Sequence, residues 1–215
     1  MSGRERVGFD LPWPWGGDRF ELRAVRRLNY IIGPLGSGKT RLAFAIAERL
    51  PDTSLIGLER LADDGAQAKR RMRADRTLRS RVNQILDCLT ADGAQSSSAL
   101  ISLLVELESA GAKNRVVDMV EQGLDRATQL ALIAHLRRRR PESASLFLLT
   151  RSNAILDLSL AGPHEAIILC PANHGTPLLV VPHPGEPGYE SVSMCLASPE
   201  ICARTESTPI APSPA

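Results

Sequence analysis

The stretch Gly33-Pro-Leu-Gly36-Ser37-Gly38-Lys39-Thr40 has the residue types and the spacing to hold a phosphate group, fitting GxxxxGK[ST] in full. Glycines let a backbone wrap an anion and aim its N–H groups at it, and a helix that starts there adds the positive end of its dipole. A lysine closing the turn neutralises β/γ-phosphate charge, and the hydroxyl after it ligates Mg²⁺. Lysine is scarce in this chain: Lys39, Lys69 and Lys113 are the only ones among 26 basic residues, so one at this position is not filler. Gly33, Gly36, Ser37, Gly38, Lys39, Thr40 and the adjoining Arg41 are therefore the expected contacts to a nucleotide, taken as ATP. Asp118 ends the apolar run Arg115-Val-Val and suits a second, water-mediated Mg²⁺ ligand beside Thr40. Glu121 is the nearest carboxylate that could orient or deprotonate a water, three residues beyond Asp118. Arg151 could meet a γ-phosphate and stabilise transition-state charge, although it cannot take a proton at neutral pH.

The elements that must carry these residues follow from hydrophobic periodicity. Leu28 to Ile32 is an apolar run before the loop and reads as a buried strand. Lys39 to Leu50 reads as a helix, with Leu42, Ala43, Ile46, Ala47 and Leu50 on one face and Pro51 after it. Further strands are expected at Arg19–Val25, Thr53–Leu58, Arg115–Asp118, Ser145–Thr150, Ala166–Cys170 and Leu178–Val181. Helices are expected over 59–81, at Ser96–Ala110 with three serines at its start, and from Asp125 to Arg140 ahead of Pro141. Strands alternating with helices predict an α/β fold, a mostly parallel sheet with helices on both faces. Residues 1–202 read as a single domain, and the Pro/Ser/Thr-rich 203–215 as a disordered tail.

The order of motifs resembles that of ABC-type ATPases, the broad group that includes the heads of SMC/RecF-like and OLD-like proteins. Arg115-Val-Val-Asp118-Met-Val-Glu121-Gln-Gly-Leu-Asp125 is similar to the Walker B and D-loop stretch of that family. Gln95-Ser-Ser-Ser-Ala-Leu100 and its leucine-rich helix resemble the signature motif. Leu146-Phe-Leu-Leu-Thr150-Arg-Ser152-Asn-Ala-Ile-Leu-Asp157 resembles the switch segment. Three positions depart: Met119 stands where the family's catalytic Glu usually follows the Asp, Arg151 where a switch His is expected, and Ser-Ser-Ser where the signature has its Gly. The resemblance spans roughly 28–157 and implies a minimal P-loop ATPase head, slow in hydrolysis, in which two chains sandwich ATP and form a transient homodimer. Two other functions stay open: a P-loop kinase taking a small acceptor beside Asp118, and an ATP-binding regulator or DNA-associated adaptor without turnover.

Composition narrows the classes further. The 26 basic against 24 acidic residues exclude a whole-protein polycation. The run Lys69-Arg70-Arg71-Arg73-Arg76-Arg79-Arg81 is nonetheless a local basic stretch, read as a nucleic-acid grip through Arg70 to Arg81, a phosphate-clamping lid, or a solvated helix face. Arg137 to Arg140 complements a helix C-terminus. No apolar run approaches the ~18 residues of a membrane helix, and the N-terminus lacks a signal-peptide core, so a cytoplasmic location is expected. Four scattered cysteines without a CxxC pair fit free thiols. His164, Cys170, His174 and His183 match no standard zinc spacing. Trp13 and Trp15 serve either as core packing or as a surface on which adenine stacks.

Overall fold

In the computed structural model, residues 5–140 and 143–197 are described. Its first half contains β1 (Val7–Asp10), β2 (Arg19–Leu22), β3 (Leu28–Ile32), α1 (Lys39–Arg49), β4 (Thr53–Ile56), α2 (Ala66–Ala74), α3 (Arg76–Ala91) and α4 (Ser98–Glu108). The second half contains β5 (Asn114–Val117), α5 (Arg126–Arg138), β6 (Ser145–Leu149), β7 (Glu165–Leu169), β8 (Leu178–Val180) and α6 (Tyr189–Cys195). Six strands form one sheet in the order β4-β5-β6-β3-β7-β8. All its pairings are parallel except β7 with β8, so the α/β, mostly parallel arrangement is observed.

The central strand β3 is buried along its whole length, and its alternating side chains divide the core in two. Tyr30 and Ile32 join Val117, Leu146, Leu148, Ile167 and Leu169 beneath α4 and α5, the face that also receives Val192 of α6. Ile31, Val116, Phe147, Leu149 and Ile168 face α1 and the antiparallel ribbon of β1 and β2. Because β3, β4, β5 and β6 run in the same direction, their following loops meet at one edge of the sheet. That edge is where open α/β sheets bind ligands.

The region 59–81 is less uniform than its composition implies. A 3-10 turn (Leu58–Leu61) comes first, and α2 then ends at Asp75, whose extended backbone and carboxylate cap α3 through the Leu78 N–H at 2.9 Å. Helix α3 runs on to Ala91 because Leu78, Val82 and Leu89 keep one face buried beyond the basic stretch. Hydrophobic periodicity does not predict β1 or α6: four alternating residues and a seven-residue helix give too short a pattern. Pro141 and the tail 203–215 lie outside the described residues.

Candidate functional site

The glycine loop connects β3 to α1 and is held from both sides. At Gly38, which precedes α1 with φ 90°, a Cβ would come within 2.5 Å of the Trp15 ring. At Gly33 a Cβ would lie 2.3 Å from the Cys170 carbonyl and 2.6 Å from Ser37 Oγ. Only glycine admits such close approach. Ser37 is buried, and its hydroxyl has no hydrogen-bond partner within the protein. Lys39 Nζ donates to the carbonyls of Gly33 and Pro34, both at 2.8 Å. Burial pushes the Lys39 ammonium below its ordinary pKa, and Arg151 adds repulsion that Cys170, Cys195 and Asp118 oppose. Thr40 is exposed and shares with Asp118 a small cleft of about 50 Å³, whose apolar wall includes Phe44, Leu55 and Val116.

Asp118 leaves the end of β5 half-buried, and burial raises its pKa against the pull of Arg60, the Met119 N–H and Lys39. Arg60 was not anticipated as a site residue. It is only 7% exposed, and it donates to the carbonyls of Gly57 at 2.7 Å, Asp118 at 2.9 Å and Met119 at 2.7 Å. This fork ties the exit of β4 to the corner after β5. Met119 sits in that corner with a left-handed φ of 47°. Nothing in the local sequence marks Arg60, which lies four residues beyond β4 in the 3-10 turn.

The left-handed step at Met119 turns the chain so that Glu121 points inward. Glu121 is 4% exposed, and its Oε1 accepts the Arg151 backbone N–H at 2.9 Å while Oε2 is buried without a partner. Burial raises its pKa, opposed by the Arg151 N–H and the Thr150 hydroxyl. The structure thus places Glu121 as a latch on the segment after β6, not as a carboxylate open to solvent. Ser152, fully buried, continues that segment: its Oγ donates to Gln129 Oε1 at 2.6 Å and accepts the Ala154 N–H at 3.1 Å. Ala197 closes it from outside, with its N–H on the Arg151 carbonyl at 2.8 Å.

The other singled-out residues separate clearly. Ser97 caps α4 through the Leu100 N–H at 3.1 Å, Ser98 bonds Asp64, and Ser96 is exposed. Trp15 is buried and donates from its indole to the Gly175 carbonyl at 3.2 Å. Trp13 is 74% exposed, with the Arg41 guanidinium 4.8 Å from its ring centroid and bonded to its carbonyl. Arg41 thus reaches toward Trp13 and away from the loop. Arg137, Arg138 and Arg139 of the Arg137–Arg140 run pair with Glu165, Asp92 and Glu108, which accounts for those three structurally. Cys170 is buried behind the glycine loop, its thiol pushed up to about 12 by burial, and His174 stands edge-on to Trp15.

No protein-family model and no curated protein matches the chain. Among solved structures the fold is shared with one described as "An inward-facing conformation of a putative metal-chelate type ABC transporter". The two are 14% identical with a TM-score of 0.53, over 83% of this chain and 84% of that one. At that identity the likeness is one of fold. Among the described residues no helix is long and apolar enough to cross a membrane.

Proposed function

We propose that the chain is an ATP-binding P-loop protein that works as a slow ABC-like ATPase switch, closing into a homodimer on ATP. One observation carries this reading: the glycine loop, Arg151 and Asp118 leave the ends of β3, β6 and β5, three strands side by side in the sheet. The loop's N–H groups are donors to phosphate oxygens, and Lys39 rests on two loop carbonyls that it can exchange for a phosphate. Thr40 and, through water, Asp118 are oxygen ligands fit for Mg²⁺, which when bound neutralises phosphate charge. Arg151, anchored through its backbone by Glu121, supplies positive charge beside Lys39. Trp13, exposed beside the start of α1, offers a face for the nucleobase.

Slow turnover follows from the carboxylates. Met119 has no acidic group, and Glu121 is engaged with the switch segment, so water is oriented by electrostatics without a dedicated base. Turnover below ~1 s⁻¹ is expected. The serines at the head of α4 would close over the nucleotide of a second chain, and two-fold symmetry makes the contact reciprocal. A kinase reading draws on the apolar cleft beside Asp118, which would have to widen from about 50 Å³ to admit a small acceptor. Sedimentation separates the two. A non-hydrolysable ATP analogue with Mg²⁺ should produce a dimer and ADP a monomer. A monomer under both conditions, with γ-phosphate transferred to a small acceptor, would replace the switch with the kinase.

A further inference from the structure

The basic stretch of α2 and α3 has no part in the site above, and the structure sorts its members. Arg71 is drawn onto Glu106 and Ser109. Arg81 donates to the Glu108 carbonyl at 2.9 Å, and Arg70 lies 3.7 Å from an Asp63 carboxylate oxygen. Lys69, Arg73, Arg76 and Arg79 are all exposed, and none of the ion pairs among the described residues involves them. Ala68 and Met72 turn α2 toward the core, and Leu78 and Val82 do the same for α3, which sends these four cations outward. Only Asp75 separates the two helices, and its carboxylate is engaged in capping α3. The cations therefore face solvent with little local counter-charge.

We propose that this outward surface of α2 and α3 binds the phosphate backbone of duplex nucleic acid without reading its sequence, through Lys69, Arg73, Arg76 and Arg79. The chemistry of the surface selects the partner. None of the exposed large apolar side chains belongs to α2 or α3. Interfacial membrane helices need an apolar face, and protein interfaces draw their affinity from buried aromatic and apolar anchors. Single-strand binders stack bases on aromatic rings, and neither helix contains one. What remains is clustered positive charge, whose natural ligand is a polyanion that releases counterions on contact. This inference is independent of the nucleotide site, since a chain unable to bind ATP would carry the same surface.

Fluorescence anisotropy with a labelled mixed-sequence duplex, titrated without nucleotide, tests it. Four neutralised phosphates predict a slope of about −3 to −4 for log affinity against log salt, and an unrelated duplex sequence should bind equally. Arg73→Gln/Arg76→Gln should lower affinity by about tenfold at low salt and flatten the slope by roughly 2. The charge-matched Arg6→Gln/Arg23→Gln, at the exposed end of the β1–β2 ribbon, should leave both unchanged. Thermal unfolding of each variant reports folding, and these exposed sites predict unchanged midpoints. Equal losses in the two variants would overturn the assignment of the surface. Equal or tighter binding to a single strand of the same length would overturn the duplex. Binding to phosphatidylserine vesicles without binding to DNA would replace it with a membrane.

Discussion

Two corners of the same sheet edge are built in opposite ways. The glycine loop packs against Trp15 and Cys170 but ties its lysine locally: Lys39 bonds carbonyls only six and five residues back, at Gly33 and Pro34. The Asp118 corner is assembled from afar. Arg60 reaches it across 58 residues, and Glu121 holds Arg151 across 30. A contiguous site can be read as a motif, whereas a dispersed one depends on which strands the fold places side by side. The difference also implies separate failure modes, since damage to the loop should cost ligand binding and damage to the other corner should cost the fold.

The largest effect should come from Lys39→Ala. Losing a charged contact worth roughly 3 kcal/mol should weaken ATP binding by about 100-fold or more. The loop's remaining contacts are backbone and glycine packing, so the unfolding midpoint should barely move. Calorimetry and thermal unfolding on the same sample measure both, and a folded variant with unchanged ATP affinity would remove the nucleotide reading altogether.

Arg60→Met inverts that pattern. It strands the part-buried carbonyls of Gly57 and Asp118, while that of Met119 keeps the Gln122 N–H at 3.0 Å, and should cost about 2–3 kcal/mol of stability. Arg60→Lys should recover only part of it, because one ammonium cannot reproduce the planar fork. Denaturant unfolding reads the ranking. Equal stability of all three proteins would mean that the fork contributes nothing and that the corner is held by the strands alone.

How far each corner was legible follows from the range of its contacts. The loop, its strand and its helix lie within 28–50, and their periodicity and glycine spacing are local properties. Asp118 was legible as the polar end of an apolar run, and the mostly parallel sheet as an alternation of strands and helices. The partner of Asp118 was not, because nothing local distinguishes Arg60 from the other arginines of an arginine-rich chain. Glu121 was singled out for its distance from Asp118 along the sequence, but the left-handed backbone of Met119, which turns Glu121 inward, leaves no mark on hydrophobic periodicity. The basic stretch 69–81 was legible as composition, whereas its division into paired and outward cations required α4 to be in place.

Glu121→Gln should separate a latch from a solvent-facing acid through pH. Burial raises the Glu121 pKa above its ordinary 4.5, so the folded chain binds this proton more tightly than the unfolded chain. Its contribution to stability is then complete below pH 4.5 and is lost as pH rises through the folded value. Gln keeps an acceptor for the Arg151 N–H but has no charge to desolvate. The variant should gain on the wild type as pH rises above 4.5. Parallel pH profiles of unfolding for the two proteins would show that Glu121 is not desolvated in the folded chain.

The smallest effect is expected at Met119, and it tests whether the dispersed corner stores a backbone constraint. A φ of 47° is tolerated by Asn and resisted by β-branched residues. Met119→Val should therefore destabilise by about 1–2 kcal/mol, while Met119→Asn should be close to neutral despite removing a half-buried apolar side chain. Were position 119 extended, as strand β5 is before it, the order would reverse, because Val suits extended backbone better than Asn. The fork from Arg60 makes the order conditional. It grips the carbonyls of the two peptides that flank the Met119 Cα, so together with the Gln122 N–H on the Met119 carbonyl it holds the left-handed step in place. In an Arg60→Met background the step is free to relax, and the penalty of Val over Asn should shrink toward zero. A double-mutant cycle with a coupling of about 1 kcal/mol would tie the two residues into one device. Strict additivity would mean that Met119 is strained by its own strand ends, and the long-range account of this corner would lose its physical link.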